Sequence, residues 1–512
     1  MRGLVRAWFG ALAAGALACA APAHAEWYEA RTDHFVIDID ADEPAAREFA
    51  ERLERYDAAL RRLYGLPDDP ATHANPVRIF VLKAGLFTRV CQCGGLAGYY
   101  RPRAGGSVIF SLYAPGFDRH AKAGDMTSQV TLLHEYAHHM MYSSEPIAYP
   151  VWFSEGFAEF NANVEFRDDG SIVIGLPANY RAGLIRTQGD YLSMPLGEFF
   201  TTATASPLVY GRGWLLTHYL MLTPKRQGQL AKYLQLMNRG KPSLDAAGEA
   251  FGDVQALWRE MFAYFEGRIL LPPLGVPPPA KPPHATVTKL SPGVAALMPL
   301  RARSVNGARG GLARELARDA AKIAADYPAD ARVQTEYAEA ELVAGHPDLA
   351  AAAADRALAL APGSLPAMLA KGQAEVRRLV AAKSTDAAAW TAARAWLIKA
   401  NHADPNAAAP LLAYFRSFAA AGTEPTPGAV KGLRRAFVLG AEDPQVRIQL
   451  ARHLFDHDDA PGARTLLQPI AFAPHDDDDK NVAAQVIALI DAGKLAEAKP
   501  LMAKMAGTAE RN

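Results

Sequence analysis

Thr131-Leu-Leu-His-Glu-Tyr-Ala-His-His-Met140 and Trp152-Phe-Ser-Glu-Gly-Phe-Ala-Glu-Phe160 are the two stretches around which the chain reads. The first contains H-E-x-x-H at His134, Glu135 and His138. Residues four apart share one face of a helix, so His134 and His138 can bind a single metal ion. Glu135 stands beside them, where it can hold a water. Gln129 to Tyr142 reads as a helix, because Val130, Leu133, Ala137 and Met141 recur at helical spacing. Ionisable groups crowded onto such a helix need a partner, since burying them alone is costly.

Two patterns supply a third ligand. The extended form H-E-x-x-H-x-x-G-x-x-H would need glycine at position 141 and histidine at 144, but the chain has Met141 and Ser144. The other form places a glutamate on a following helix, and Glu155 fits. Pro150 marks the start of that helix. Glu155 would complete a two-His, one-Glu set with an open position, a donor set suited to one Zn²⁺. Glu159, one turn on, is placed to hydrogen-bond the outer nitrogen of a ligand histidine.

H-E-x-x-H followed by W-F-x-E-G-F-A-E resembles the gluzincin metallopeptidases, in particular the aminopeptidase N-like and peptidase MA-like catalytic domains. The resemblance spans roughly residues 30 to 270. It implies an α+β zincin-like domain that hydrolyses peptide bonds, with Glu155 as third zinc ligand. Val209-Tyr-Gly-Arg-Gly-Trp214 resembles the family's Y-x-x-G motif. That match implies Tyr210 as hydrogen-bond donor to the oxyanion. Read from the residues alone, Tyr210 is equally a core aromatic, with Tyr219 and His218 as alternatives. The family's aminopeptidases carry G-x-M-E-N, which this chain lacks upstream; Cys93 to Tyr100 and Ser107 to Leu112 stand in its place. Endopeptidase action is therefore expected over aminopeptidase action, with an extended substrate beside the 107–112 strand. The same residues admit a zinc hydrolase of non-peptide amides, or a non-catalytic adaptor that keeps a zinc site.

The chain has 512 residues and equal numbers of acidic and basic side chains. That length gives a prior of two or three domains, and the balance gives no reason to expect nucleic acid as a partner. Residues 1–25 read as a signal peptide: Arg2 and Arg6, an apolar Ala-rich run, then Ala23-His24-Ala25. A periplasmic or secreted protein with no transmembrane segment in the mature chain is expected. Cys19 raises lipid anchoring, but Ala16 stands three places upstream, where leucine is usual. Cys91 and Cys93 are expected to form a local disulfide. His34 and His73 carry no pairing signal, and His139 points around the helix away from His138. His120 reads as part of a solvated loop rather than a cleft wall, and the acidic run after His475 as a solvated loop rather than a loose divalent-cation site.

Residues 26–270 are thus expected as the catalytic domain. Leu271 to Pro283 holds seven prolines, so 271–284 reads as a linker. Ala285 to Pro299 is expected as a short strand and turn. From there to 512 the chain becomes Ala-rich helices with Asp, Pro and Gly breaks. Pro328 and Pro362 lie 34 residues apart, and Ala338, Ala350 and Ala357 sit where tetratricopeptide repeats take small residues. Residues 285–512 therefore resemble a degenerate tetratricopeptide array, an all-α solenoid whose concave face would suit a protein partner or the substrate.

Overall fold

The computed structural model describes residues 26–92, 97–113, 124–144, 147–187, 194–267, 271–472 and 478–511. The expected signal peptide with Cys19 lies outside the described residues, as do Cys93, His120 and His475. Cys91 is disulfide-bonded.

Strand sequences such as Val77-Arg-Ile-Phe-Val-Leu82 are apolar on both alternating faces, which demands cover on both sides. The strands are β1 (Trp27–Arg31), β2 (Phe35–Asp40), β3 (Val77–Leu82), β4 (Gly98–Arg101), β5 (Val108–Leu112), β6 (Val164–Phe166), β7 (Ile172–Ile174), β8 (Leu274–Val276) and β9 (Thr286–Lys289). Six form one sheet in the order β4-β5-β3-β2-β1-β9. The β2–β3 and β3–β5 pairs are parallel, and Ile79 lies opposite both Ile37 and Ile109. β4 and β5 form a hairpin. At its turn Gly106 has φ 101°, and a Cβ there would lie 2.6 Å from the Pro76 carbonyl oxygen.

One face of this sheet, with Ile37, Ile79, Val81 and Ile109, packs on helix α1 (Glu43–Tyr64). Asp42 caps α1 by accepting from the Ala45 amide at 2.8 Å, and left-handed Gly65 ends it. The other face, with Phe80, Leu82, Val108 and Phe110, packs on Phe87 and Val90 of α2 (Ala84–Cys91). Leu297, Met298, Val333 and Ala338 from the helical half complete that second core. α3 (Ser128–Ser144) gives Leu133, Tyr136 and Met140 to the sheet core, and Ala137 and Met141 to a helical core. The helical core gathers α4 (Val151–Ala162), α5 (Asn179–Thr187), α6 (Leu196–Thr201), α7 (Pro207–Leu222), α8 (Gln229–Asn238), α9 (Ser243–Phe251) and α10 (Val254–Glu266).

The proline-rich stretch differs from a free tether. β8 pairs antiparallel with β7, and β9 pairs antiparallel with β1. Both occupy sheet edges, where neighbouring prolines remove no ladder hydrogen bonds. After β9 the expected turn is instead helix α11 (Pro292–Val305), capped by the Ser291 hydroxyl and carrying Pro299 inside it. Helices then continue from α12 (Gly310–Asp326), α13 (Ala331–Ala344) and α14 (Pro347–Leu360) to α22 (Leu495–Arg511), packing pairwise with their sequence neighbours. Ala338, Ala350 and Ala357 are fully buried at these crossings. The arrangement is consistent with a helical solenoid. Among the described residues no helix is long and apolar enough to cross a membrane.

Polar contacts fasten the two halves. Arg332 of α13 donates to Glu29 of β1 at 2.7 Å. Glu29 is held at a pKa of about 2: burial opposes its ionisation, but Arg332, Arg78 and Arg31 outweigh burial. The turn between α18 (Pro427–Leu439) and α19 (Pro444–Asp456) inserts beside β5. There Asp443 accepts from the Ala104 amide at 2.7 Å, and Glu442 accepts from the Ser107 hydroxyl at 3.0 Å.

Burial raises the Glu442 pKa from 4.5 to about 7. A raised folded-state pKa favours the protonated acid, so its stabilising share is complete below pH 4.5 and lost as pH rises through about 7. Glu442→Gln, which cannot ionise, should match wild type at pH 4.5 in thermal unfolding. At pH 8 it should be more stable by about 1–3 kcal/mol. Equal midpoints at both pH values would refute this account of the junction.

Candidate metal centre

α3 lies between two cores, and its histidines at helical spacing share one buried face. His134 and His138 project from it one turn apart, both buried, with Nε2 atoms 3.1 Å apart. α4 is buried along its whole length and brings Glu155 against them. Glu155 Oε2 lies 3.3 Å from His134 Nε2 and 3.5 Å from His138 Nε2. These three donors form a cluster able to hold a metal ion. Ligands at tetrahedral corners around zinc lie about 3.3 Å apart, given bonds of about 2.0–2.1 Å. The three separations bracket that edge.

Charge makes the same case. Both Glu155 oxygens are buried and neither has a well-formed hydrogen bond. Burial opposes ionisation of Glu155, yet His138 and His134 outweigh it and hold the carboxyl far below its usual range. Burial also opposes a proton on His134, but Glu155, Glu159 and Glu135 outweigh it and raise that pKa to about 9. Two imidazoles and one carboxylate at these separations are a donor set that fits zinc.

Partners outside the cluster fix the ligands. His138 Nδ1 lies 3.4 Å from the Ser154 hydroxyl, which pairs with the Tyr142 hydroxyl at 2.7 Å. Glu159 Oε1 lies 3.6 Å from His134 Nδ1. Its hydrogen bonds go instead to Arg181 Nη2 and the Tyr180 hydroxyl, each at 2.5 Å. Arg181 and Tyr180 belong to α5, in a stretch that reads as irregular from its sequence. Of these supporting groups the sequence pointed to Glu159 alone, not to Ser154, Tyr142, Tyr180 or Arg181.

The tyrosine motif arrives through a backbone contact. A Cβ on Gly156 would lie 2.3 Å from the Gly213 carbonyl oxygen, and one on Gly213 would lie 2.2 Å from that of Trp152. Only glycine at both positions lets α4 and α7 approach this closely. The crossing brings the Tyr210 ring to 6.0 Å from His134 and 4.7 Å from the Arg181 guanidinium. Burial, then Glu155 and Glu135, push the Tyr210 phenol far above its ordinary pKa, so it stays protonated.

The other candidates are engaged elsewhere. Tyr219 donates to Glu260 at 2.7 Å. His218 spans the Gly175 carbonyl oxygen at 2.9 Å and the Tyr264 hydroxyl at 2.8 Å. His139 turns to the Tyr100 hydroxyl at 3.1 Å, and burial lowers its pKa to about 3. The 107–112 strand is not available to an extended ligand, because β5 is already paired with β3 and β4. The edge beside α3 is that of β4, where a Cβ on Gly98 would lie 3.8 Å from Glu135 Cγ. His34 and His73 do meet: their ring centroids are 4.7 Å apart.

Gly213→Ala should destabilise the fold by about 1–3 kcal/mol in urea. It should also weaken zinc binding, because α4 must shift and carry Glu155 with it. An unchanged zinc Kd in that variant would show that the glycine contact does not set the ligand position. The chain matches no family model and no curated protein.

Proposed function

We propose that the protein is a zinc-dependent peptidase that cuts within peptide chains. The observation that carries this reading is the buried Glu155 carboxylate, unanswered by hydrogen bonds and facing two imidazoles at ligand spacing. Bound zinc would acidify a water and polarise the scissile carbonyl. His134, His138 and Glu155 would hold the ion. Glu135, half-buried beside them, takes the proton of the attacking water and returns it to the leaving amine. Tyr210, kept protonated, donates to the oxygen that gains charge. Glu159 acts through Arg181, which holds the carboxylate side of the site together beneath the Tyr210 ring.

Internal cleavage is favoured by the outer edge of β4, which pairs with no strand among the described residues. A substrate could add there as a further strand. The helical half is proposed as a tetratricopeptide-like array. Its first helices roof the sheet, and its remaining surface is where a protein partner would dock. The chain is proposed to act outside the cytoplasm after loss of residues 1–25.

Glu135→Gln should abolish turnover of a quenched peptide library while zinc content stays the same. Tyr210→Phe should lower kcat by about 10²–10³ with little change in KM. Mass spectrometry of the products should find internal cuts, lost with a chelator. A folded, zinc-loaded protein that cleaves no peptide, or a Glu135→Gln form as fast as wild type, would sink the peptidase reading.

A further inference from the structure

His34 lies immediately before β2, and Asp68 and His73 lie on the loop that follows α1. The fold brings these three together. His34 Nε2 is 3.2 Å from Asp68 Oδ1, and His73 Nε2 is 2.7 Å from the same oxygen. One donor atom from each residue falls within 4.8 Å of the others.

The surroundings are those of a ligand set. His34 Nδ1 is 2.6 Å from Glu54 Oε1 and 3.4 Å from Asp57 Oδ2. A carboxylate that takes the outer ring proton fixes the tautomer and turns the other nitrogen toward a metal. Glu54, Asp57 and Asp68 are the carboxylates at His34, and Arg61, 2.7 Å from Asp57, is the guanidinium among them. His34 also lines a cleft of about 180 Å³, with Asp69, Thr72, His139 and Glu442.

We propose that His34, Asp68 and His73 form a second divalent-cation site, of the two-imidazole, one-carboxylate type suited to zinc. Its role is structural. It clips the loop carrying Asp68 and His73 to the start of β2. The same loop ends at Asn75, whose side chain bonds the Asn406 carbonyl at 2.8 Å and the Ala408 amide at 2.9 Å in the helical half. Asp57 bonds the Tyr136 hydroxyl of α3 at 2.5 Å. The ion therefore stands between the junction of the two halves and the helix that carries His134 and His138, outside the proposed catalytic centre.

Zinc per chain decides the matter, measured by inductively coupled plasma mass spectrometry on the full chain equilibrated in nanomolar-buffered zinc. Wild type should hold about two ions, one in each three-residue donor set. His73→Ala and Asp68→Asn should each hold one fewer, and so should His138→Ala. Asp68 is half-exposed, so its variant keeps the fold even if the histidine variant does not. Adding zinc to His138→Ala should also raise its thermal midpoint. Wild-type zinc content in both His73→Ala and Asp68→Asn overturns the second site. So does a single ion in wild type that His138→Ala removes. A single ion that Asp68→Asn removes and His138→Ala keeps would uphold the second site and sink the catalytic one, so the two readings fail separately.

Discussion

A carboxylate that water cannot reach must be answered by positive charge, and Glu155 sets that condition for this fold. The glutamate sits on a helix with no exposed residue. Neither of its oxygens finds a hydrogen-bond donor of good geometry. Leaving such a charge alone costs several kcal/mol or more. The two imidazoles of α3 face it, and a cation held among the three would answer it. α3 supplies them by running between two cores instead of lying on one.

The next shell of charge is arranged to leave that centre undisturbed. Glu159 would add a second unpaired anion, but Arg181 and Tyr180 bind it on its far side. Arg181 then covers the face of Tyr210. One guanidinium thus offsets a carboxylate and positions a phenol. The glycine pair at the α4–α7 crossing makes this possible, since any side chain there would push the tyrosine helix away from the ligand helix.

The metal cluster was legible because its ligands lie on two short helices with helical spacing. His134 to His138 is a local relation, and E-G-x-A-E is another. The β4–β5 hairpin and α1 were legible for the same reason: register and caps are set by neighbours in sequence. Three features were not. The second histidine pair joins residues far apart in the chain, so no spacing announces it. Arg181 lies in a stretch whose helix depends on packing against α7 and on the Glu159 contact. Leu271 to Pro283 reads as a tether because seven prolines forbid a central strand; they do not forbid an edge, and β8 and β9 are edges. The apolarity of both faces, with Ile79 and Val81 on one and Phe80, Leu82, Val108 and Phe110 on the other, did carry the missing information, since something had to roof that second side of the sheet.

The pairing of β9 with β1 has a consequence for how the chain is made. β1 is the first described element, yet its outer neighbour is residues 286–289, and the cover for its sheet comes from helices up to α13 and beyond. During synthesis the first half must wait, with Trp27, Phe80 and Phe110 open to solvent, until the second half emerges. A fragment cut at residue 270 would keep every proposed ligand of the first centre while losing its roof and two strands. Such a fragment should be prone to self-association along the bare edge of β1, so the second half serves as a built-in folding partner for the first.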